Sequence, residues 1–429
     1  MPHPRAAVVD PFSSGALYAP ELARRGWASV AVYAERRTAP HIRATARPRD
    51  FLEVVEHDGD FERTAGRLRD HGVSLVLAGC ETGVAVADAL AEALGLPGNG
   101  TALSPARRHK HVMAETARAA GARVPRQRCS GDLAELLDWV ERGPGWPVVA
   151  KPPHSLASES VRPCTGAAQL RRAFAAIHGA RNQCGLLNEE VIVQELIDGT
   201  QYAVDTVSRD GEHLLAGVWR YHRPRRRDLA DWSDEESGLA AYAAIGSDGK
   251  RMVGGDEEPA DRLFAFVRVV LDALGIRHGP AHCEVMVTAE GPALVEIGAR
   301  MHGGTRTPRI SRACTGSSQL DRVLESFLEP ERFAEALRRP CTLHRHGAMV
   351  YLTPWRHGTF GGFRRLAEVE ELPSFQEAFE LQQPGEPVTG VVGLVSLVHA
   401  DRATLERDVE RVYELERAGL YELAEVPVG

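Results

Sequence analysis

The segment AHCEVMVTAEGPALVEIGAR, residues 281–300, decides the fold, because it reads as two strands joined by a tight turn. A hairpin centred on Glu290 places Glu284 directly opposite Glu296, with both side chains on one face of the sheet. Like charges that face each other directly destabilise a sheet, and the neighbouring residues are too apolar for either acid simply to turn into water.

The facing carboxylates predict a bound cation. A pair of carboxylates with no nitrogen or sulfur ligand in it suits a hard cation such as Mg²⁺, and Mn²⁺ takes similar ligands. Arg300 follows Glu296 by four residues, just past the strand, where its guanidinium could reach anionic oxygens held by the metal. The alternative interpretation is an edge hairpin with two solvated surface acids.

Three further residues of this region are candidates for contact with a ligand. His282 lies two residues before Glu284 and therefore on the same strand face, where it contacts an incoming substrate or acts only as a hydrogen-bonded structural histidine. Gly303 and Gly304 follow Arg300, and their missing side chains either leave space for a ligand or simply allow the backbone to turn.

Lysine is rare in this chain, with three lysines among 51 basic residues. Where arginine occupies almost every basic position, a lysine is more often one whose compact ammonium group is needed. Lys110 lies in a helix-forming stretch, and Lys151 ends the strand VVAK before Pro152. A lysine at a strand end beside a loop is a common way to hold a phosphate as a point charge.

The first hundred residues alternate strands with helices, which predicts a parallel sheet with right-handed crossovers. The strands are AAVVD, WASVAVYA and VSLVLAG. Ligands of such sheets gather at the carboxyl ends of the strands, where this chain carries Ser14 and Glu81. The first strand is followed by DPFSSG rather than G-x-G-x-x-G, which excludes a typical dinucleotide-binding oxidoreductase.

The loop LPGNG, residues 96–100, marks a domain boundary. A single helix capped by Ser104 is expected over residues 104–120. Residues 191–221 read as three strands with a hairpin turn at SRDGE. The polar stretch 223–258 reads as a mobile loop with a short helix.

Composition excludes several classes of protein. The chain has 429 residues, enough for two or three domains at about 150 residues each. A net charge of −8 argues against a general partner of nucleic acid or of anionic membranes. No apolar run approaches the roughly 18 residues of a membrane helix, and the N-terminus lacks the pattern of a signal peptide, so we expect a cytoplasmic protein.

The chain has seven cysteines, an odd number, and they are widely spaced without a C-x-x-C pair. This spacing argues against a disulfide framework and against a zinc site.

The order of the candidate residues resembles that of a known superfamily. Lys110 is followed by Lys151–Pro152, the segment QELIDG (194–199), Glu284, Glu296 and Arg300. This order resembles the ATP-grasp superfamily of carboxylate–amine ligases. The blocks VVDPFSSG, AGCETGVAVADALAEALGLPGNG, QYAVDTVSRDGEHL and GPAHCEVMVTAEGPALVEIGARMHGG, with the C-terminal LPSF, are most similar to the L-amino-acid ligases that make dipeptides.

The resemblance implies an α/β (α+β) chain in which a Rossmann-like domain precedes an ATP-grasp fold. The first domain is expected over residues 1–103 and the ATP-grasp domain over 104–330. Within the latter, a small lid spans about 124–195 and the metal-binding part spans 196–330. An α+β domain is expected over 331–429.

The resemblance also implies the roles of individual residues. Glu284 and Glu296 hold Mg²⁺, Arg300 meets the transferred phosphoryl group, and His282 is the second catalytic candidate. The residues implied to contact ATP are Lys110, Lys151, Ser158, Gln194, Glu195, Ile197 and Gln201. The residues implied near the amino-acid substrate are Ser14, Glu81, Gly303 and Gly304.

The expected activity is ATP-dependent formation of an amide bond between an amino-acid carboxylate and an amine, through an acyl phosphate, with release of ADP and phosphate. The expected partners are small amino-acid substrates, without nucleic acid or membrane, and the expected chain is a monomer or homodimer. Two alternatives stay open. The acceptor is an amine other than an amino acid, or the protein binds ATP with little turnover, because the stretch after Lys151 has no glycine before Gly166.

Overall fold

A computed structural model describes residues 3–34, 38–155, 159–222, 247–354, 358–388 and 390–424. Ser158 and most of the predicted mobile loop, residues 223–246, lie outside the described residues. The chain divides into two compact units. Unit 1 comprises Met1–Val218, Gly255–Pro308 and Ser318–Cys341, and unit 2 comprises Trp219–Gly254, Arg309–Ser317 and Thr342–Gly429.

Unit 1 begins with a four-stranded parallel sheet of order β3-β2-β1-β4, which confirms the predicted parallel sheet. Its elements in chain order are β1 (Arg5–Val9), α1 (Tyr18–Arg24), β2 (Ala28–Tyr33), α2 (Pro40–Arg43), β3 (Val54–Glu56), α3 (Phe61–Asp70), β4 (Val73–Ala78) and α4 (Val84–Leu94). The central strand β1 is almost entirely buried because both of its faces are covered by packed side chains. Asp60 caps α3, and Gly95 ends α4 in a left-handed conformation.

A second sheet of unit 1 is antiparallel, with the order β5-β8-β6-β7. The elements are α5 (Ser104–Arg108), α6 (Lys110–Ala119), β5 (Gln127–Ser130), α7 (Leu133–Arg142), β6 (Val148–Lys151), β7 (Arg162–Cys164), α8 (Ala167–Ile177) and β8 (Val191–Glu195). The apolar residues of α7 and α8 pack with those of the strands in one core cluster.

The expectation of one continuous helix after Ser104 is wrong. His109 has an extended backbone, with φ −94° and ψ 111°, and it separates α5 from α6. The Ser104 hydroxyl does not cap a helix but donates a hydrogen bond of 2.7 Å to the carboxylate of Asp88. The break lets the His109 side chain cap α6, and Lys110 becomes its first residue.

Four further strands pair in the order β13-β12-β9-β10 and include the decisive hairpin, and they belong to unit 1 except for the last residues of β10. The elements are β9 (Thr200–Arg209), β10 (Glu212–His222), α9 (Ala260–Ala273), β12 (Gly279–Thr288) and β13 (Gly291–Gly298), followed by α11 (Gln319–Leu328) and α12 (Pro330–Ala336). The predicted turn at SRDGE is confirmed, with Asp210 and Gly211 both at positive φ.

Unit 2 contains antiparallel strands in the order β11-β14-β17-β16 and a two-stranded sheet of β15 and β18. Its elements are β11 (Gly249–Val253), α10 (Thr307–Thr315), β14 (His346–Leu352), β15 (Thr359–Phe363), α13 (Leu366–Glu370), β16 (Phe375–Phe379), β17 (Gly393–His399), α14 (Arg402–Arg417) and β18 (Tyr421–Ala424). The apolar side of α14 packs into the core of this unit. Domain boundaries at residues 103 and 330 stay a prediction.

No helix among the described residues combines the length and the apolar character needed to cross a bilayer.

A buried arginine fastens the loop at residues 96–100 inside unit 1. The Arg107 guanidinium donates to Asp88 at 2.9 and 3.1 Å, and to the carbonyl of Leu274 at 2.9 Å. It also donates to the carbonyls of Asn99 and Gly100, and its side chain has no solvent exposure. Arg107 therefore joins α4, the loop and the end of α9, and every one of these contacts requires its charge or its donors.

We predict that Arg107→Met lowers the free energy of unfolding by about 3–5 kcal/mol, because it leaves the buried Asp88 carboxylate without its charged partner. Urea unfolding followed by circular dichroism measures this change. Arg142→Met is the matched control, since Arg142 pairs with Asp138 but is 81% exposed, and we expect it to cost less than about 1 kcal/mol. Equal losses in the two variants would contradict the role given to Arg107.

Candidate active site

The hairpin of β12 and β13 places Glu284 opposite Glu296, as the sequence predicts. The predicted centre of the turn at Glu290 is wrong by half a position, because Thr288 pairs with Gly291 and the two-residue turn is centred between Ala289 and Glu290. A register shift follows Glu284 and leaves Val295 unpaired, so this bulge restores the predicted opposition of the acids.

Positive and hydrogen-bonding groups surround the two carboxylates. Lys110, the first residue of α6, places Nζ 3.1 Å from a carboxylate oxygen of Glu296 and donates to the Ser155 carbonyl at 3.0 Å. The Gln201 amide donates to Glu284 at 2.8 Å. Glu284 and Glu296 are therefore partly compensated by the protein, and their oxygens face a common space, a donor set that fits Mg²⁺ or Mn²⁺.

Lys151 ends β6 with its side chain buried, 6% exposed. Among the described residues its ammonium group has no hydrogen-bond or ion-pair partner within contact distance. Burial, together with the charge of Lys110, lowers the pKa of Lys151 to about 8, although the charges of Glu296 and Glu284 oppose this. A buried ammonium group without a partner is unfavourable unless an anion binds beside it.

A cluster that the sequence did not reveal lies behind Glu284. The carboxylate oxygens of Asp205 accept hydrogen bonds of 2.8 Å from Nδ1 of His282 and from Nδ1 of His302. The two imidazole rings lie 4.1 Å apart, and all three residues are buried. Burial alone would raise the pKa of Asp205, but the two histidines hold it well below its usual range.

His282 connects this cluster to the acid pair. Its Nε2 lies 3.6 Å from a carboxylate oxygen of Glu284. Burial lowers the pKa of His282, but hydrogen bonds with Asp205 and Glu284 outweigh it and raise the pKa above its ordinary value. The same interaction with His282 holds the pKa of Glu284 below its ordinary value, although burial opposes this. His282 is thus oriented by Asp205 with its second nitrogen toward Glu284.

Glu81 is the buried partner of two arginines. It follows β4, and its carboxylate accepts from Arg300 Nε at 2.9 Å and from Arg108 Nη1 at 2.5 Å. Burial would raise the pKa of Glu81, but Arg108 and Arg300 lower it to about 2. A Cβ atom at Gly298 would lie 2.5 Å from the Glu81 carboxylate, so this position requires glycine for Glu81 to reach Arg300.

The segment after β8 offers main-chain groups. The Glu195 carboxylate accepts from the main-chain N–H and the Nε of Arg126, at 2.8 and 2.7 Å, and this pairing holds the segment against the residues before β5. Among the described residues, the main-chain N–H and C=O of Ile197 have no hydrogen-bond partner. The preceding Gln194 is buried in β8.

The predicted substrate residues also meet in unit 1. Ser14 is buried in a short 3₁₀ helix, Ser13–Leu17, at the carboxyl end of β1. The Gly304 N–H donates to the Ser13 hydroxyl at 3.1 Å, which ties the glycine pair to this sheet end. A Cβ atom at Gly303 would meet open space.

Comparison with models of protein families finds no match. Comparison with characterised proteins is more informative, because the chain is 31% identical over 326 residues to dapdiamide A synthase of Enterobacter agglomerans, across 73% of both chains. The chain belongs to the ATP-grasp carboxylate–amine ligases. Like them, this ligase uses ATP to form an amide bond between a carboxylate and an amine.

Solved structures agree with this ligase fold. The L-amino acid ligase from Bacillus licheniformis superposes with a TM-score of 0.74 at 18% identity, over 99% of this chain and all of the other. The carboxyaminoimidazole ribonucleotide synthase from Aspergillus clavatus, solved with ATP, superposes with a TM-score of 0.68 at 14% identity, over 97% of this chain and 100% of the other.

We predict that Gly298→Ala lowers kcat/KM for ligation by about 10²-fold, because the added methyl group displaces Glu81 and thereby Arg300. Steady-state assays of ADP release measure the loss. Gly66→Ala is the matched control, since a Cβ atom there meets nothing within 4 Å, and we expect it to keep wild-type activity. A fully active Gly298→Ala variant would show that the position of Glu81 does not matter.

Proposed function

We propose that the ligase joins the carboxylate of one amino acid to the amine of a second amino acid, through an acyl phosphate, and releases ADP and phosphate. The observation that carries this proposal is the concentration of charge in unit 1. The facing acids Glu284 and Glu296 lie in the same buried region as the cations Lys110, Lys151 and Arg300. Such an arrangement suits a phosphoryl group and its metal ion.

The residues fit ATP and a divalent metal. The oxygens of Glu284 and Glu296 would hold Mg²⁺, with Mn²⁺ as a substitute, and the metal would neutralise charge on the phosphates. Lys151 lacks a charged partner among the described residues, so its ammonium group is suited to a phosphate oxygen. The main-chain groups of Ile197, next to Glu195 and Gln194, are suited to an adenine edge.

We propose a second role for Gln201 beside its contact with ATP. Its amide Nε2 is engaged by Glu284 at 2.8 Å. We propose that Gln201 first orients this metal ligand, and that its amide oxygen faces the ribose hydroxyls. Ser158 keeps its proposed contact with ATP as a prediction, since it lies outside the described residues.

The protein assists the reaction by positioning and by charge. Arg300 is directed by Glu81 and would meet the oxygens of the transferred phosphoryl group. His282 is directed by Asp205 and lies beside Glu284, where it would contact the activated carboxylate. Ser14, Gly303 and Gly304 would border the amino-acid substrate, and no covalent nucleophile is required.

Two broader proposals follow from the chain as a whole. All seven cysteines are free, which agrees with a cytoplasmic protein. We propose that the protein is a monomer or a homodimer and that its partners are small-molecule substrates only.

The first experiment incubates the protein with Mg·ATP and all pairs of amino acids, and it measures release of ADP and phosphate and the mass of the amide product. We expect release that requires two amino acids. Glu296→Gln should lower kcat by about 10²–10³-fold, because a metal ligand is lost. Glu290→Gln, in the turn of the same hairpin, is the matched control and should keep activity.

Each other outcome has a definite meaning. Release that requires one amino acid and a simple amine would show that the acceptor is not an amino acid. Confirmed ATP binding without release for any pair would overturn the proposed substrates and favour a protein that binds ATP with little turnover.

We predict that kcat/KM for ATP falls by up to about tenfold per pH unit above about pH 8. The pKa of Lys151 is lowered, so its positive charge is present below about pH 8 and is lost as the pH rises through this value. Lys151→Arg keeps its charge across this range, so its kcat/KM for ATP should stay level from about pH 7 to about pH 9 whatever its absolute rate. Parallel pH profiles in the two proteins would contradict this assignment.

A further inference from the structure

A second cluster of metal-ligating side chains lies outside the proposed site. His109, Cys129 and Glu190 each offer one ligand atom, and these three atoms lie within 4.8 Å of one another. His109 precedes α6, Cys129 belongs to β5 and Glu190 precedes β8. In the sheet Cys129 pairs with Ile192, so Glu190, two residues before Ile192, projects from the same face.

The start of α6 lies over this face. The Gln127 amide, two residues before Cys129, donates to the carbonyl of His111 at 3.2 Å. The ring of His154 packs edge-on against His109, with ring centroids 4.9 Å apart, and borders the cluster on that side. The position of His109 is therefore set by contacts with both the sheet and the loop after β6.

The Glu190 carboxylate interacts with the Cys129 thiol and lies near His109. His109 Nε2 lies 3.8 Å from a carboxylate oxygen of Glu190, which is longer than a hydrogen bond. Zinc bonds of about 2.0–2.3 Å at tetrahedral angles separate ligand atoms by roughly 3.3–3.6 Å. The spacing thus needs only small side-chain rotations to enclose an ion.

We propose that His109, Cys129 and Glu190 form a Zn²⁺ site, with water in the fourth position. The set of one imidazole, one thiolate and one carboxylate is typical of zinc and unsuited to Mg²⁺. The Glu190 side chain is 48% exposed, which gives the ion and the water a path from solvent.

The ring of His109 presents Nε2 to the cluster, because this is the nitrogen that lies beside Glu190. His109 Nδ1 accepts from the Val112 N–H at 3.5 Å, the limit of a hydrogen bond, so little is lost when that nitrogen becomes protonated.

The site connects two parts of unit 1 near the proposed phosphate-binding lysines. His109 is followed directly by Lys110, and Cys129 lies on the sheet face that also carries Lys151, because Ile192 pairs with both Cys129 and Lys151. A bound zinc ion would hold the start of α6 against β5 and β8. The proposal does not depend on the identity of the ligase substrates.

The proposal runs against the expectation from cysteine spacing. The ligands lie at positions 109, 129 and 190, so no short motif contains two of them. Only the folding of β5 and β8 beside α6 brings them together.

The test uses the full chain after removal of metals, with Zn²⁺ and Co²⁺ as the probes. We expect Zn²⁺ to bind in calorimetry and the Co²⁺ complex to show a thiolate charge-transfer band. Cys129→Ser should abolish the band and weaken Zn²⁺ binding by at least about tenfold, and Glu190→Gln should also weaken binding. Cys341→Ser is the matched control and should change neither, because Cys341 is a partly buried cysteine that lies outside the cluster and whose Sγ donates to the Ala216 carbonyl.

The proposal is overturned if the wild-type Co²⁺ complex shows no thiolate charge-transfer band. It is also overturned if the band persists in Cys129→Ser. A second measurement needs no variant, in case Cys129→Ser does not fold. Zn²⁺ should slow alkylation of Cys129, mapped by peptide mass spectrometry, while Mg²⁺ should not and Cys341 should be unaffected. Equal alkylation of Cys129 with and without Zn²⁺ would also overturn the proposal.

Discussion

The arrangement of the candidate active site depends on the pairing of the buried Glu81 carboxylate with two arginines. This carboxylate lies between Arg108, the last residue of α5, and Arg300, the second residue after β13. An unpaired guanidinium in this place would cost several kcal/mol, so all three positions must meet if any of them is to be buried. The glycine at 298 belongs to the same constraint, since a side chain there would occupy the place of the Glu81 carboxylate. A residue that follows the parallel sheet thereby fixes the direction of an arginine that follows the β12–β13 hairpin.

The remaining charges follow the same rule, in which each buried charge is neutralised by a neighbour. Glu296 faces Lys110, Glu284 faces His282, and Asp205 is shared by two imidazoles. Lys151 differs, because no described residue pairs with it closely and its pKa falls accordingly. A site that is balanced everywhere except at one ammonium group is prepared for a negative ligand before that ligand arrives. This preparation is consistent with a ligase that assists its reaction by position and charge rather than by a covalent nucleophile.

Several features could be predicted because they depend on neighbours in sequence. The parallel sheet follows from the alternation of apolar strands and capped helices, and the opposition of Glu284 and Glu296 follows from a short turn between two strands. The centre of the turn differs from the predicted one by half a position, since a pairing pattern with period two cannot show a bulge at Val295. The break at His109 is not predictable for a similar reason, because the residues on both sides favour a helix and the contacts of Lys110 with Pro153 and Glu296 are contacts with distant parts of the chain.

The amino-acid sequence by itself determined the class of fold, the family and the charged residues of the proposed site, because strand and helix periodicity and the order of the lysines and acids are local or linear properties. Only the tertiary structure decided which charges far apart in the sequence meet. Asp205 lies 77 residues from His282, Glu81 lies 219 residues from Arg300, and no spacing rule connects them. The zinc site of His109, Cys129 and Glu190 is of the same kind. Such pairs form because burial makes an unpaired charge or ligand group costly, and only the completed packing of the sheets shows which partner lies within reach.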